Sequence, residues 1–344
     1  MNFSKKTLDK KATFIAEVGQ NHQGSLNIAK KYIRVFSKLG ADIIKFQTRN
    51  NKYLFSSEAY LKTYDSENAF AKTYGKHREK LEFNFNDFKI LKKECEKNKV
   101  KFMTTPFEEE SLKLLKKLKV DLIKISSFDI GNLSFIEKIA KTKKTIVISV
   151  GGGNNRHIDE SIKLILKYHK KIILMHCVSE YPCPIEKLNL KNISKLKKKY
   201  PQIVIGNSDH FNGILSGPLA YFLGARVFEK HVTFDRSWKG TDHKFSLEPE
   251  GFRKFVRDVK RSKTILNSKE NNSKGNEPVF LKLGKSLISN RKISIGEKIK
   301  LSDLSGKIFN KNYIPVRETY KIVGKHVKTE LKKNQPIQYN NLKN

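Results

Sequence analysis

Two lysines stand inside stretches that otherwise have the character of buried strands: Lys45 in GADIIKFQT and Lys124 in VDLIKISS. An ammonium group carried into such a stretch is costly without an anionic partner. Two kinds of partner are open. The lysines could form structural ion pairs with the chain's own Glu17 and Asp129, or they could hold the phosphate and carboxylate of a ligand. The hydroxyls of Thr105, Ser127, Ser149 and Ser208 favour a doubly anionic ligand, as does the Gly151–Gly153 turn, whose amides can approach an oxyanion closely. His210 and His231 close two successive strand-like runs, so their imidazoles could meet at one point. Two histidines without cysteine, joined by oxygen ligands and water, suit a divalent ion such as manganese better than structural zinc. A pair of packing or hydrogen-bonding histidines is the alternative. His22, His176 and His243 are poorer metal candidates, and Cys177 lacks the histidine-and-base arrangement of a nucleophile.

These residues need elements to position them. Short β-branched runs end near Val18, Phe46, Met103, Ile125, Val150, His176, Gly206 and His231. Amphipathic helical stretches lie between them, such as Leu26–Leu39, Phe85–Lys97, Glu109–Leu118 and Ile158–Tyr168, several opened by a cap such as Ser25 or Asn86. Eight strand–helix units predict a closed (β/α)8 TIM barrel. Polar residues unusual for strands cluster where these runs end: Glu17, Asn21 and His22; Lys45 and Gln47; Thr104 and Thr105; Lys124, Ser126, Ser127 and Asp129; Ser149; His176, Ser179 and Tyr181; Asn207 to His210; Glu229 to His231. In a parallel barrel those ends share one face, where barrel chemistry is assembled. Asn50–Lys80 is long and mixed, which predicts an inserted loop or short helices over the barrel mouth. The predicted barrel domain covers 1–262, a polar linker 263–282, and a small β-rich domain 283–344 with short strands and turns at 287–289, 292–299 and 322–329.

The formal charge of +36, from 70 Lys+Arg against 34 Asp+Glu, would ordinarily raise nucleic acid or an anionic membrane as partner. Here the lysines spread over the polar faces of nearly every helical stretch, so a solvated basic surface is expected and nucleic-acid binding is not. Three cysteines form no paired framework, the N-terminal stretch holds no apolar run of signal-peptide length, and no long apolar span occurs. A cytoplasmic protein without membrane partners is the expectation.

The strings FIAEVGQNHQGSLNIAKKYI, TTPFEEESLKLL, KISSFDIGNL, HCVSEYPCPIEKLNL, GNSDHFNGILSGPLAYFLGA and EKHVTFDRSWKGTDHKFSLEPEGF resemble the sialic-acid (N-acetylneuraminate) synthase family. The tail with KSLISNRKISIGEKIKLSDL is similar to that family's antifreeze-like, or SAF, domain. The resemblance implies condensation of phosphoenolpyruvate with an N-acylated hexosamine, giving a nonulosonic acid and phosphate. It implies that Lys45, Gln47, Thr105, Lys124, Ser127, Ser149, Ser179 and Ser208 hold phosphoenolpyruvate and that His210 and His231 ligate manganese or magnesium. Glu17, Tyr181 and Asp242 would address the sugar or proton transfer, with Asp129 where a glutamate is usual. It further implies a domain-swapped homodimer in which each C-terminal domain covers the other chain's barrel. Departures bear on the acceptor: the family's lid arginine is replaced by Ile308, and Ser179 stands where asparagine is common. A synthase of phosphorylated sugars on the same barrel, or a non-catalytic basic sugar- or nucleic-acid-binding protein, would be the alternatives.

Overall fold

The computed structural model describes residues 5–268 and 274–343 of the 344. Eight parallel strands close into a barrel in chain order: β1 (Thr13–Gly19), β2 (Ile43–Thr48), β3 (Lys101–Pro106), β4 (Leu122–Ile125), β5 (Thr145–Ser149), β6 (Ile172–Cys177), β7 (Val204–Asp209) and β8 (Val227–His231). The expected (β/α)8 architecture is what forms. Each strand is a β-branched run buried on both faces, one toward the barrel interior and one toward the surrounding helices.

The two-residue period of a strand sorts these side chains. Ile15, Ile43, Met103, Leu122, Val147, Ile173, Met175, Val204 and Val227 form one apolar cluster, joined by Leu8 from the short helix Lys5–Leu8. Two residues further along the same strands stand Glu17, Lys45, Lys124, Ser149 and Glu229, so a polar layer lies directly beyond an apolar one. Intervening residues such as Ala16, Ile44, Ile123, Ile148 and Phe228 pack against the helices in the larger core.

Helix Leu26–Lys38 is capped by Ser25, whose side chain accepts from the Ile28 amide. Helix Phe85–Lys97 is capped by Asn84 and not by Asn86: Asn84 stands three residues before Asp87 and forms a reciprocal capping box with it. The segment after β2 contains three short helices, Asn51–Leu54, Ser57–Leu61 and Tyr74–Glu79. The last barrel helix runs from Pro249 to Leu266, past the expected boundary at 262, and residues 278–283, across the end of the expected linker, are helical. Residues 269–273 of that linker lie outside the described residues.

Contacts divide the chain into units 1–267 and 268–344. The second unit pairs β9 (Ser286–Ser289) antiparallel with β10 (Leu304–Lys307) around an apolar cluster that includes Ile293, Ile322, Val327 and Leu331. The expected strands at 292–299 and 322–329 appear only as isolated bridges such as Ile293 with Leu331 and Lys298 with His326, and Ile322 ends a short helix. A unit this small satisfies much of its backbone through turns.

Candidate active site

A cavity of about 340 Å³ opens at the C-terminal ends of the strands, with Lys45 and Lys124 in its lining. Backbone register brings its charges together: Glu17 stands opposite Lys45 on one side and opposite His231 on the other, and Ser208 stands opposite Glu229. Lys45 lies 2.8 Å from Glu17 and 3.3 Å from Glu229, while Lys124 lies 2.8 Å from Glu229. All four side chains are at most 5% exposed. Lys124 is therefore paired by Glu229 and not by Asp129. Asp129 accepts from Ser126 at 3.0 Å and Asn132 at 3.1 Å, and it does not line the cavity.

The two carboxylates of this array are driven apart. Burial pushes Glu17 up to about 7 despite Lys45, and Glu229 adds to the rise. For Glu229, burial acts in the same upward direction, but Lys124 and Lys45 together outweigh it and hold its carboxyl well below the ordinary range. Burial pulls Lys45 down, yet Glu17 and Glu229 leave it above the usual lysine value. Lys124 falls below that value through burial, with Lys45 adding to the fall against Glu229. One carboxylate is thus fixed as an anion between two ammonium groups, and the other can carry a proton near neutral pH.

Hydroxyls and amides surround this array. Ser208 Oγ donates to Glu229 at 3.3 Å, and Lys45 Nζ donates to Thr105 Oγ1 at 3.4 Å. The Gly151 amide donates to Ser127 Oγ at 3.1 Å. A methyl on Gly151 would stand 2.6 Å from Ser179 Oγ and 3.1 Å from Ser127 Oγ, so only glycine lets these groups converge. Ser179 itself is not among the lining residues, although its hydroxyl stands beside this turn. Glu17 Oε2, Ser149 Oγ, Ser179 Oγ and His231 Nδ1 are buried and find no hydrogen-bond partner among the described residues. Unpaired buried polar atoms are costly, and a polar ligand relieves them.

A second group adjoins the first. Gln47 Nε2 donates to Glu17 at 3.0 Å, and a methyl on Gly19 would lie 3.3 Å from both of those groups and 3.4 Å from Asp242 Oδ2. The positive φ of +54° at Gly19 lets the chain turn there. His210 and His231 face each other with ring centroids 5.5 Å apart, and Tyr181 packs on His210 at 4.0 Å. Nδ1 of His210 lies 2.8 Å from the Val178 carbonyl, which fixes the proton there and leaves Nε2 as a free ligand atom. Asp242 comes within 3.5 Å of His231 Nδ1. The separation of the rings suits two imidazoles sharing one ion at about 2.1 Å from each nitrogen. Among the described residues no group of three or more His, Cys, Asp or Glu could hold a metal, so the remaining ligands would be water or substrate oxygen. The donor set fits a divalent ion in an open site.

The other strand-end polar residues serve the fold. Asn21 donates to the Val232 carbonyl and Ser246, Thr104 pairs with Thr48, and His176 bonds the Leu188 carbonyl. Lys230 and Asp209 form a buried ion pair at 2.7 Å, and His22 stacks on Phe83. His243 bonds Thr233 at 2.8 Å. The cavity also contains residues to which the sequence assigned no role: Glu229 of β8, and Gln20, Arg49, Tyr64, Tyr74, His77 and Arg78, most of them from the insertion after β2. The basic and aromatic run TYGKHR was the available signal for that insertion.

With this geometry in view, comparison with known proteins decides the lineage. The model of the NeuB family matches residues 32–271. The chain belongs to the NeuB family. Its relatives include human N-acetylneuraminate-9-phosphate synthase, 34% identical over 94% of this chain and 90% of that protein. The N,N'-diacetyllegionaminic acid synthase of Campylobacter jejuni is 36% identical over 87% of this chain and 90% of that protein. Among solved structures, the N-acetylneuraminic acid (sialic acid) synthetase of Leptospira borgpetersenii, in complex with citrate, superimposes with a TM-score of 0.69 at 32% identity. That match covers 79% of this chain and 91% of the Leptospira chain. No helix among the described residues is long and apolar enough to cross a membrane.

Proposed function

We propose that this chain condenses phosphoenolpyruvate with an N-acylated hexosamine to give a nine-carbon nonulosonic acid and phosphate. The observation that carries the reading is the buried Lys45–Glu229–Lys124 array next to the facing pair His210 and His231. The relatives named above are synthases of nonulosonic acids, which supports the reaction class. The two lysines bind the phosphate and carboxylate of phosphoenolpyruvate, with Thr105, Ser127, Ser149, Ser179 and Ser208 supplying hydroxyls to the anion. Gln47 steadies Glu17, Tyr181 and Asp242 line the acceptor side, and Asp129 holds the β4 turn.

C3 of phosphoenolpyruvate attacks C1 of the open-chain aldehyde, and positioning of the two substrates supplies much of the rate. Glu17, protonated near neutral pH, gives its proton to the aldehyde oxygen as that oxygen gains charge. Water then adds at C2 of the former enol carbon, and phosphate leaves by C–O cleavage while the lysines stabilise it. His210 and His231 would hold manganese or magnesium, which supplies Lewis-acid polarisation of the aldehyde when bound. We also assign the C-terminal unit to the antifreeze-like class and propose a homodimer in which it covers the partner's barrel. The resemblance of the tail supports this, and a solution mass of two chains by light scattering is the expected result.

The test is phosphate release from phosphoenolpyruvate across a panel of N-acylated hexosamines, with manganese supplied or chelated. The expected result is release with at least one acceptor and loss of activity on chelation. His210→Ala combined with His231→Ala should lower kcat by on the order of 1000-fold. Full activity in that double variant would remove the metal assignment, and salt-sensitive nucleic-acid binding without phosphate release would overturn the synthase.

A further inference from the structure

His210 stands one residue past the end of β7, where the register with β8 has stopped, so its place facing His231 needs another fastening. The last register pair of the two strands is Asp209 with Lys230, the residues immediately before the two histidines. Neither lines the cavity, and both are buried in the layer between barrel and helices, Lys230 at 1% exposed and Asp209 at 4%. Their side chains meet at 2.7 Å. Asp209 also accepts from the Phe211 amide at 2.9 Å and from the Ser216 hydroxyl at the start of helix Ser216–Phe222. Lys230 donates to the Phe211 carbonyl and lies 5.8 Å from the Phe211 ring. The pair therefore grips the main chain on both sides of His210, at Asp209 itself and at both polar atoms of Phe211. The β6 loop completes the hold: the His210 carbonyl accepts from the Cys183 amide at 3.0 Å, and His210 Nδ1 donates to the Val178 carbonyl at 2.8 Å.

We infer that the Asp209–Lys230 ion pair is a positioning device for the divalent-ion site, holding His210 and His231 at the separation that lets one ion bind both. This rests on the assignment of the two histidines as metal ligands. Burying two charges costs desolvation that their attraction only roughly offsets, and well-packed apolar residues of similar volume are often as stabilising or more so. Stability alone thus gives no reason for an ammonium and a carboxylate in the layer that Ile44, Ile123, Ile148 and Phe228 fill elsewhere in the barrel. What the ion pair adds over apolar packing is direction: each of its bonds has one partner and one geometry, so β7 and β8 are fixed in a single register up to the residue before each histidine. A site with two protein ligands tolerates little error, since such groups must be held within about 0.5 Å of their working geometry. Asp209 and Lys230 act through the main chain of residues 209–211 and 230–231, from the opposite face of the barrel wall.

The experiment titrates manganese into the full-length chain, reading free manganese by electron paramagnetic resonance, and separately measures the rise in Tm that phosphoenolpyruvate gives with metal chelated. The variants are Lys230→Met and Asp209→Asn combined with Lys230→Met. The double variant keeps an acceptor for the Phe211 amide and leaves no buried charge at this place, so the test does not depend on the single variant folding. It should melt within about 5 °C of wild type. It should weaken manganese binding by on the order of 10- to 100-fold, the usual loss when a group behind a metal ligand is removed. Its response to phosphoenolpyruvate should stay that of wild type, because Lys45, Lys124 and Glu229 line the cavity on the other face of the wall. A manganese Kd within about twofold of wild type in the folded double variant overturns the inference. Equal losses of manganese and phosphoenolpyruvate binding also overturn it, since they mark a general loosening of the barrel. A wild-type chain that binds no manganese even at millimolar concentration removes the metal assignment itself, and the inference with it.

Discussion

Replacing Glu229 by Gln keeps the side chain's shape while removing the carboxylate that touches both buried lysines, at 3.3 Å from Lys45 and 2.8 Å from Lys124. With all four groups ionised, Glu17, Lys45, Lys124 and Glu229 sum to zero. The variant leaves two ammonium groups and only Glu17, which contacts Lys45 at 2.8 Å. Lys124 then has no ion pair among the described residues. Stranding a buried charge in this way costs ~3–5 kcal/mol. At about 2–4 °C per kcal/mol for a large domain, the barrel's Tm should fall by ~10 °C. Lys124 can escape part of that cost by shedding its proton, since burial already holds its pKa below the ordinary lysine value. A lysine with a lowered folded-state pKa takes up a proton on unfolding, so the loss is full below the folded pKa and shrinks as pH rises toward the unfolded one. Calorimetric melts at pH 6.5 and pH 9, with and without phosphoenolpyruvate or inorganic phosphate, test this. The gap from wild type should narrow at the higher pH. An anion at about 100 times its Kd should return ~2.7 kcal/mol, and the variant should gain more than the wild type because the anion stands in for the lost carboxylate. A variant that melts within about 2 °C of wild type, or that gains no more than wild type from either anion, would refute the reasoning.

His22 gives a second, independent test. Burial pushes it down to about 3, and its Nδ1 must stay unprotonated to accept from the Gly24 amide at 3.1 Å. The unfolded chain binds that proton first, so stability is present above the ordinary histidine pKa and is lost as pH falls, by up to ~1.4 kcal/mol per pH unit. Between pH 6 and pH 4, His22→Phe should flatten the slope of urea-unfolding free energy by about one proton, and an unchanged slope would show that another group carries it. Gly151→Ala adds a methyl 3.0 Å from the Cys177 carbonyl as well as crowding Ser179 and Ser127, an overpacking cost of ~1–3 kcal/mol. It should also raise KM for phosphoenolpyruvate by on the order of 10-fold, and an unaltered KM would move the anion away from this turn.

The barrel was legible because its signal is local. Runs such as TFIAEVG, IIKFQT and IILMHC announce strands by composition, and helices between them by period, so all eight strands fall within a few residues of where the pattern puts them. The C-terminal unit was less legible because most of its pairing is single bridges between distant residues, such as Val327 with Leu342, which carry no repeating pattern. At the site, Lys45 and Lys124 stood out as charges in apolar runs, but their shared partner did not. Glu229 lies 105 residues from Lys124 in sequence, and only barrel closure brings them together. Asp129, offered with Glu17 as a possible ion-pair partner, is close to Lys124 in the chain, yet the turn after β4 directs it back to Ser126 and Asn132.

The same closure explains which strand-end polar residues can do chemistry. A strand alternates faces, so of neighbouring polar residues only every second one reaches the interior. In β8 the sequence Glu229-Lys230-His231 places the glutamate and histidine in the cavity, while Lys230 turns outward to Asp209. In β7 and its extension, Ser208 and His210 face the cavity and Asp209 faces Lys230. Thr104 likewise pairs with Thr48, while Thr105 and Gln47 line the site. A polar residue at a strand end is therefore a catalytic candidate only in phase with an apolar interior residue two or four positions before it. That condition retains Glu17 after Ile15, Lys45 after Ile43, Lys124 after Leu122, Ser149 after Val147, Ser208 after Val204 and Glu229 after Val227, and it rejects Asp209 and Lys230. Arg78, Tyr74 and Tyr64 line the cavity outside this rule, because they come from the insertion after β2, which has no strand phase to constrain it. Residues of that insertion can change without disturbing the barrel's interior layers, so acceptor preference is expected to vary there while the lysine–glutamate array stays as it is.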